Sequence, residues 1–249
     1  MNTKVKVLRF ISSNTTDHET KSSYQLYNSK SFFIRYYAYL PFIFSLKNVD
    51  FTKNSKILDM GCSDGPFLPT LNIYAKKIIA MDIDNDLVKK SKNIIQNKLS
   101  NSNKINLMTS DGLALPFRDE NFDVIFCLEV LEHVKHPRKA IEEIYRTLKK
   151  NGVFICTVPV EIGMSLFIRE ILGKIIKFNR PYYSKKELMR NVFLKKPGPR
   201  TLEMGHKNFD WRLIKKEIRQ VFRKIYTEFI PIKILRDFNP IILIKSIKN

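Results

Sequence analysis

Cysteine is scarce in this chain, with three residues among 249, Cys62, Cys127 and Cys156. An odd number at wide spacing builds neither a disulfide framework nor a zinc site. All three fall inside or beside apolar runs, so they read as reduced core residues of a cytoplasmic protein. Long apolar runs are missing too. The most apolar early stretch, Phe32 to Leu46, is interrupted by Arg35 and Pro41, and it is shorter than the roughly 20 residues a bilayer span requires. The N-terminus lacks a positively charged start followed by an apolar core, so no secretory signal is expected. Acidic residues are also few, 24 against 44 Lys and Arg, for a net charge of +20 and a pI near 9.8. That balance attracts an anionic partner such as RNA, phospholipid or a phosphorylated substrate. A solvated basic face needs no partner, and Lys, Ile and Asn share A/T-rich codons, so base composition accounts for the charge equally well. No internal repeat is present.

What the chain does have is an alternation of apolar strands and helices. Residues 1 to 20 are polar and aperiodic and read as a loose arm. Between Ser22 and Leu46 nine aromatics crowd together, among them Tyr27, Phe32, Phe33, Tyr36 and Phe42. They predict a helix that packs an aromatic face on the domain, or a lid that walls a substrate pocket. Ile57-Leu58 begins the first buried strand, and Asp59-Met-Gly-Cys-Ser-Asp-Gly65 supplies a turn in which glycine permits positive φ. Pro66 suits a first helical position, so a helix is predicted from Pro66 to Ala75.

Strands follow at 77–81, 105–109, 122–128 and 153–158. Helices are expected at 86–99, with Asp84 or Asn85 as cap, and at 137–148, ended by Asn151-Gly152. Later come an amphipathic helix from Ser165 to Phe178 with a basic face, a basic loop at 195–200, a helix capped by Asp210, and two strands at 225–230 and 241–246 that could pair antiparallel at the sheet edge. Strand and helix in alternation imply a parallel sheet with right-handed crossovers. Ligands of such sheets bind beyond the carboxyl ends of the strands. Asp59 with its turn, Asp82, Asp111 and Glu129 all stand at those ends.

Two phosphate-binding patterns are absent. A dinucleotide fingerprint needs glycine where Ser63 and Pro66 stand, and proline removes an N–H that a pyrophosphate could use. A nucleoside-triphosphatase loop ending in Gly-Lys-Ser or Gly-Lys-Thr is also lacking. The turn is built for a ligand without phosphate at that point.

Four stretches in order, Asp59 to Gly65, Met81-Asp-Ile-Asp84, Ser110-Asp-Gly-Leu-Ala-Leu-Pro-Phe117 and Phe122 to His133, resemble the ordered motifs of class I S-adenosylmethionine-dependent methyltransferases of the type 11 kind. The resemblance covers about Ser55 to Pro159; one departure is Ser63 in place of the middle glycine. It implies an α/β, Rossmann-like doubly wound, mostly parallel seven-stranded sheet, with an N-terminal aromatic helical segment (residues 1–50) and a domain at 51–249. A helical insertion on the substrate side, 160–207, follows the fifth strand. It also implies S-adenosylmethionine as cofactor. Asp59 and the backbone of Gly61, Cys62, Ser63 and Gly65 would hold the methionyl part, Asp82 the ribose hydroxyls, Ile83 the adenine face, and Asp111 the adenine amino group beside Gly112 and Leu113. Glu129 and Val130 would face the sulfonium. Glu129, His133 and His206 are the candidate bases, although each histidine could simply pack or cap a loop.

The acceptor is less defined. No Asn/Asp-Pro-Pro-aromatic sequence follows the fourth strand, and Cys156 lacks the Pro-Cys context of cytosine chemistry. Both count against common nucleic-acid methylations. A small-molecule, glycan or lipid-precursor acceptor is expected, with an anionic membrane surface as a possible partner of the amphipathic helix. An RNA acceptor held by the basic insertion and a non-catalytic cofactor-binding protein are the alternatives.

Overall fold

The computed structural model describes residues 5–8, 24–52, 54–99, 102–175, 183–201 and 205–249. Its centre is a seven-stranded sheet of β1 (Lys56–Met60), β2 (Lys77–Asp82), β3 (Ile105–Thr109), β4 (Phe122–Leu128), β5 (Leu148–Pro159), β6 (Lys224–Ile230) and β7 (Ile241–Ile247), in the order β3-β2-β1-β4-β5-β7-β6. The first five strands pair in parallel, while β7 runs antiparallel to both β5 and β6. The strand order reverses between β1 and β4. There the chain leaving β1 and the chain leaving β4 diverge, which opens a crevice at the carboxyl edge.

Side chains alternate across the sheet as a period of two requires. Leu58, Ile79, Ile125, Phe154 and Cys156 enter one core with α5 (Pro137–Thr147) and α8 (Trp211–Val221). Ile57, Ile78, Val124, Phe126 and Ile155 enter the other. That second layer comprises α2 (Phe32–Lys47), α3 (Leu68–Tyr74) and α4 (Asn85–Lys98), with Leu40, Phe42, Leu46, Leu71 and Ile95 facing the sheet. The short α1 (Tyr24–Tyr27) precedes α2. All three cysteines are buried free thiols.

Several expectations are corrected. Pro66 does not open a helix: α3 begins at Leu68, with Pro69 in its first turn, because the glycine turn runs on through Phe67. Asn151-Gly152 does not end α5. That helix stops at Thr147, and β5 starts at once at Leu148. Asn151 adopts φ 59° inside the strand, and the register against β4 shifts between Phe122 and Val124. Asp84 is the α4 cap, accepting from the amides of Asp86 and Leu87. Most of the arm at 1–20 lies outside the described residues, but Val5 to Leu8 dock on α3, where the Lys6 amide donates to Tyr74 Oη and the Leu8 amide to Thr70 Oγ1.

The amphipathic helix, α6, spans Met164–Ile175; Phe178 lies outside the described residues. Its orientation is the reverse of an ordinary surface helix. Leu166, Ser165 and Glu170 are buried, and Arg169 reaches inward to Glu161, whereas Ile168, Ile171 and Leu172 are 40–52% exposed. A further helix, α7 (Lys185–Met189), starts from a capping box built by Ser184 and Glu187 and continues into a π-helical turn at Arg190–Leu194. Among the described residues no helix is long and apolar enough to cross a membrane.

Candidate functional site

The turn after β1 is fixed by its own backbone. The amides of Gly61 and Cys62 both donate to the Met81 carbonyl, at 2.8 and 2.9 Å, and the Gly65 amide donates to the Cys62 carbonyl at 2.9 Å. Gly61 and Gly65 take φ of +80° and +86°, and Ser63 takes +51°. A side chain at Gly61 would place its Cβ 2.3 Å from Val130 Cγ2, so β1 and the loop after β4 touch at this point. Asp82 straps the turn from the neighbouring strand, one carboxylate oxygen accepting from the Ser63 amide (2.8 Å) and the other from the Asp84 amide (3.0 Å).

Ile83, next along, is 71% exposed. An isoleucine this open at a strand end has no packing explanation and offers a bare apolar face beside a polar rim. Asp111 is exposed, its carboxylate accepting from the Leu113 amide at 2.9 Å. Gly112 lies so near Met60 that a Cβ would fall 2.1 Å from Met60 Cε. These residues thus form a floor shaped by backbone, with acids above it. Asp59 is buried, and desolvation together with the neighbouring Asp82 carboxylate pushes its pKa up to about 7. Such a carboxylate is primed for a cation, which would offset both penalties.

Glu129 ends β4 in a left-handed conformation, φ 57°, with its amide donating to the Thr157 carbonyl at 2.9 Å. Backbone in that region costs a non-glycine residue on the order of 1–3 kcal/mol and collects at functional sites. Its Oε1 is buried without a hydrogen-bond partner, and burial with the Glu161 charge nearby raises its pKa to about 7.

His133 and His206, far apart in sequence, bring their Nε2 atoms to 3.1 Å. Burial and the Arg200 charge lower the pKa of His133, favouring the neutral imidazole. Glu132, buried just before it, and Glu161, buried just beyond β5, flank the pair. The structure therefore gathers Asp59, the turn, Asp82, Ile83, Asp111, Gly112 and Leu113 along one side of the rim, and Glu129, His133 and His206 on the other.

Sequence reasoning missed Glu132 and Glu161, and placed Tyr27 only among the aromatics of a packing helix or lid. The strand-end rule could have found Glu161, two residues past Pro159. Tyr27 is half-buried, stacks on Phe42 at 5.4 Å between ring centroids and meets Tyr39 edge-on. Burial, with the charges of Glu129, Asp64 and Asp59 close by, drives its phenol pKa upward. The N-terminal aromatic segment thus reaches over the rim. A groove of about 680 Å³ between the insertion and α8 shares Glu132 with this region but includes none of Asp59, Asp82, Asp111 or Glu129.

Residues 58–156 match the family described as methyltransferase domain. An uncharacterized protein of Methanocaldococcus jannaschii is 34% identical over 136 residues, 55% of this chain and 54% of that protein. The demethylmenaquinone methyltransferase of Clavibacter sepedonicus is 25% identical over 154 residues, 59% of this chain and 61% of its own length. The chain thus spans just over half the length of these curated relatives. The PH0226 protein of Pyrococcus horikoshii, 18% identical, superposes with a TM-score of 0.62 over 91% of this chain and 96% of that one, which shows a shared fold. Sheet order and the motifs at the strand ends agree with the family match, and residues 58–156 are a methyltransferase domain of the S-adenosylmethionine-dependent kind.

Proposed function

We propose that this protein transfers a methyl group from S-adenosylmethionine to a small-molecule or lipid-precursor acceptor held between the Glu129 side of the rim and the insertion. The observation that carries this reading is Tyr27, half-buried against the second core and close to Glu129, Asp64 and Asp59. An aromatic segment on one side and the 205–209 segment on the other support a small acceptor over a polymer.

The residues fit the cofactor. Asp59 matches an ammonium group, the backbone of Gly61, Cys62, Ser63 and Gly65 leaves room for a methionyl chain, Asp82 has lone pairs for ribose hydroxyls, and Ile83 offers an adenine-sized face. Asp111 stands ready for an exocyclic amine beside Gly112 and Leu113. When bound, the cofactor supplies an electrophilic methyl on a sulfonium, whose carbon–sulfur bond breaks as the acceptor lone pair attacks in line and leaves a neutral thioether. The chain's part is alignment, water exclusion and proton removal. Glu129, with an unpartnered buried oxygen and a pKa of about 7, takes the proton that an oxygen or nitrogen acceptor loses.

The basic charge does not favour RNA. Lys195 pairs with Asp237, Arg212 with Asp210, Lys207 with Glu187, and Arg200 donates to backbone carbonyls. Lys56, Lys77 and Lys104 cluster at the amino ends of the strands, opposite the rim. The Clavibacter relative is named for demethylmenaquinone rather than for a nucleic acid. Incubation with methyl-labelled S-adenosylmethionine and fractionated cell extract tests the reading. Label is expected in the small-solute or lipid fraction; label only in RNA, or none in any fraction, would overturn it.

A further inference from the structure

Beside the rim, Glu132, His133 and His206 each offer one potential ligand atom, and the three atoms lie within 4.8 Å of one another. The separations are 3.1 Å between the two Nε2 atoms, 3.9 Å from His133 Nε2 to Glu132 Oε1, and 3.7 Å from His206 Nε2 to the same oxygen. Donors sharing one ion at about 2.0–2.2 Å stand roughly 3.0–3.5 Å apart. The three atoms are therefore within a small side-chain contraction of a metal triangle.

A second observation points the same way. The Glu132 side chain is 0% exposed, and neither of its carboxylate oxygens has a hydrogen-bond partner. A buried carboxylate with nothing to accept from is costly, the more so with Glu129 and Glu161 beside it. A divalent cation would satisfy its oxygens and offset the gathered negative charge together.

The surroundings suit such an ion. His206 Nδ1 lies 3.8 Å from Glu161 Oε1, and Glu161 is itself gripped by Arg169 and approached by Tyr183 Oη at 3.5 Å. A carboxylate on the far nitrogen orients a ligating imidazole and raises its basicity. Arg200 donates one nitrogen to both the Glu132 carbonyl (2.7 Å) and the Gly205 carbonyl (2.8 Å), so the two ligand-bearing segments are already held side by side.

We infer that Glu132, His133 and His206 form a binding site for one divalent transition-metal ion, which staples the 205–209 segment to the loop after β4. Two imidazoles and one carboxylate select zinc, iron(II), manganese or cobalt over calcium, and three protein ligands leave positions for water. The site joins the wall of the proposed acceptor cleft to the methyltransferase domain.

The test uses the full chain, freed of metal with a chelator and titrated with Co²⁺ alone by calorimetry and visible absorption. One ion per chain is expected, with ligand-field bands and a Kd in the micromolar range or tighter. His133→Ala and His206→Ala should each weaken binding at least tenfold, while His136→Ala, at the exposed start of α5, should not change it. Circular dichroism confirms each variant is folded; His206 lies in the insertion, and His206→Ala decides alone if His133→Ala does not fold. Added Co²⁺ should raise the melting temperature of the wild type and not of His206→Ala. Absence of one-to-one binding below about 1 mM, or binding in His206→Ala within twofold of wild type, would overturn the site. The probe is the metal alone and no methyl transfer is read, so failure here leaves the proposed reaction standing, and failure of that reaction leaves this site standing.

Discussion

Asp82 at the end of β2 holds Ser63 in the turn after β1, its Oδ2 accepting from the Ser63 amide at 2.8 Å. The same carboxylate is the proposed ribose acceptor, so it serves the turn and the ligand together. Asp82→Ala should weaken S-adenosylmethionine binding at least tenfold by calorimetry, since hydrogen bonds to a charged group contribute about 1.5–3 kcal/mol each. Circular dichroism should stay native, because Asp82 is part-exposed at a strand end. Asp82→Asn, which keeps an acceptor for Ser63, should fall between. Unchanged affinity in Asp82→Ala would remove Asp82 from the cofactor site.

Gly61 and Gly112 should respond differently to alanine. At Gly61 the new Cβ meets the branched Val130 side chain at 2.3 Å, and φ is +80°, so destabilisation of about 2–4 kcal/mol is expected. Combining it with Val130→Ala should recover part of the loss and leave the backbone strain. At Gly112 the clash is with the flexible end of Met60, and a loss under about 1.5 kcal/mol is expected. Ser63→Gly, relieving φ of +51°, should gain roughly 1 kcal/mol. Chemical denaturation of the set reads these differences.

The buried Asp59 makes stability depend on pH. Its pKa rises from 3.8 in the open chain to about 7 in the fold, so in that window the unfolded chain gives up a proton that the native state keeps. Stability from this group is therefore highest below about pH 4 and falls, by roughly 1.4 kcal/mol per pH unit, as pH rises toward 7. In the ligand-free protein, Asp59→Asn should raise the melting temperature more at pH 8 than at pH 5, while weakening cofactor binding at pH 8. A melting difference independent of pH would show that Asp59 is not held protonated in the native state.

The reversed orientation of α6 gives the membrane question a specific form. Ile168, Ile171 and Leu172 present an apolar face to solvent on a chain of charge +20. If a lipid precursor is the acceptor, co-sedimentation with vesicles containing anionic phospholipid should exceed that with neutral ones, and a Leu172→Glu, Ile171→Glu double variant should reduce it several-fold. Equal sedimentation with both vesicle types would count against a membrane partner.

The sheet was legible in the sequence because its evidence is local. Val124 to Cys127 form an unbroken apolar run typical of a strand buried on both faces, and Asp59, Asp82 and Asp111 follow such runs, so their place on one rim comes from the connection rules of parallel sheets. Helix ends were less legible where two local signals competed: Asn151-Gly152 carries a helix stop, but Leu148 was already taken up by pairing with Phe122 on β4. The direction in which α6 faces could not be read at all. Periodicity marks Ile168, Ile171 and Leu172 as one stripe without saying what lies on either side, and it is the buried Glu161 that draws Arg169 inward. The meeting of His133 and His206, the burial of Glu132 and the approach of Tyr27 to Glu129 likewise belong to tertiary structure alone. Residues distant in sequence carry no shared local pattern, and only the packing of the insertion and the N-terminal segment onto the strand ends brings them together.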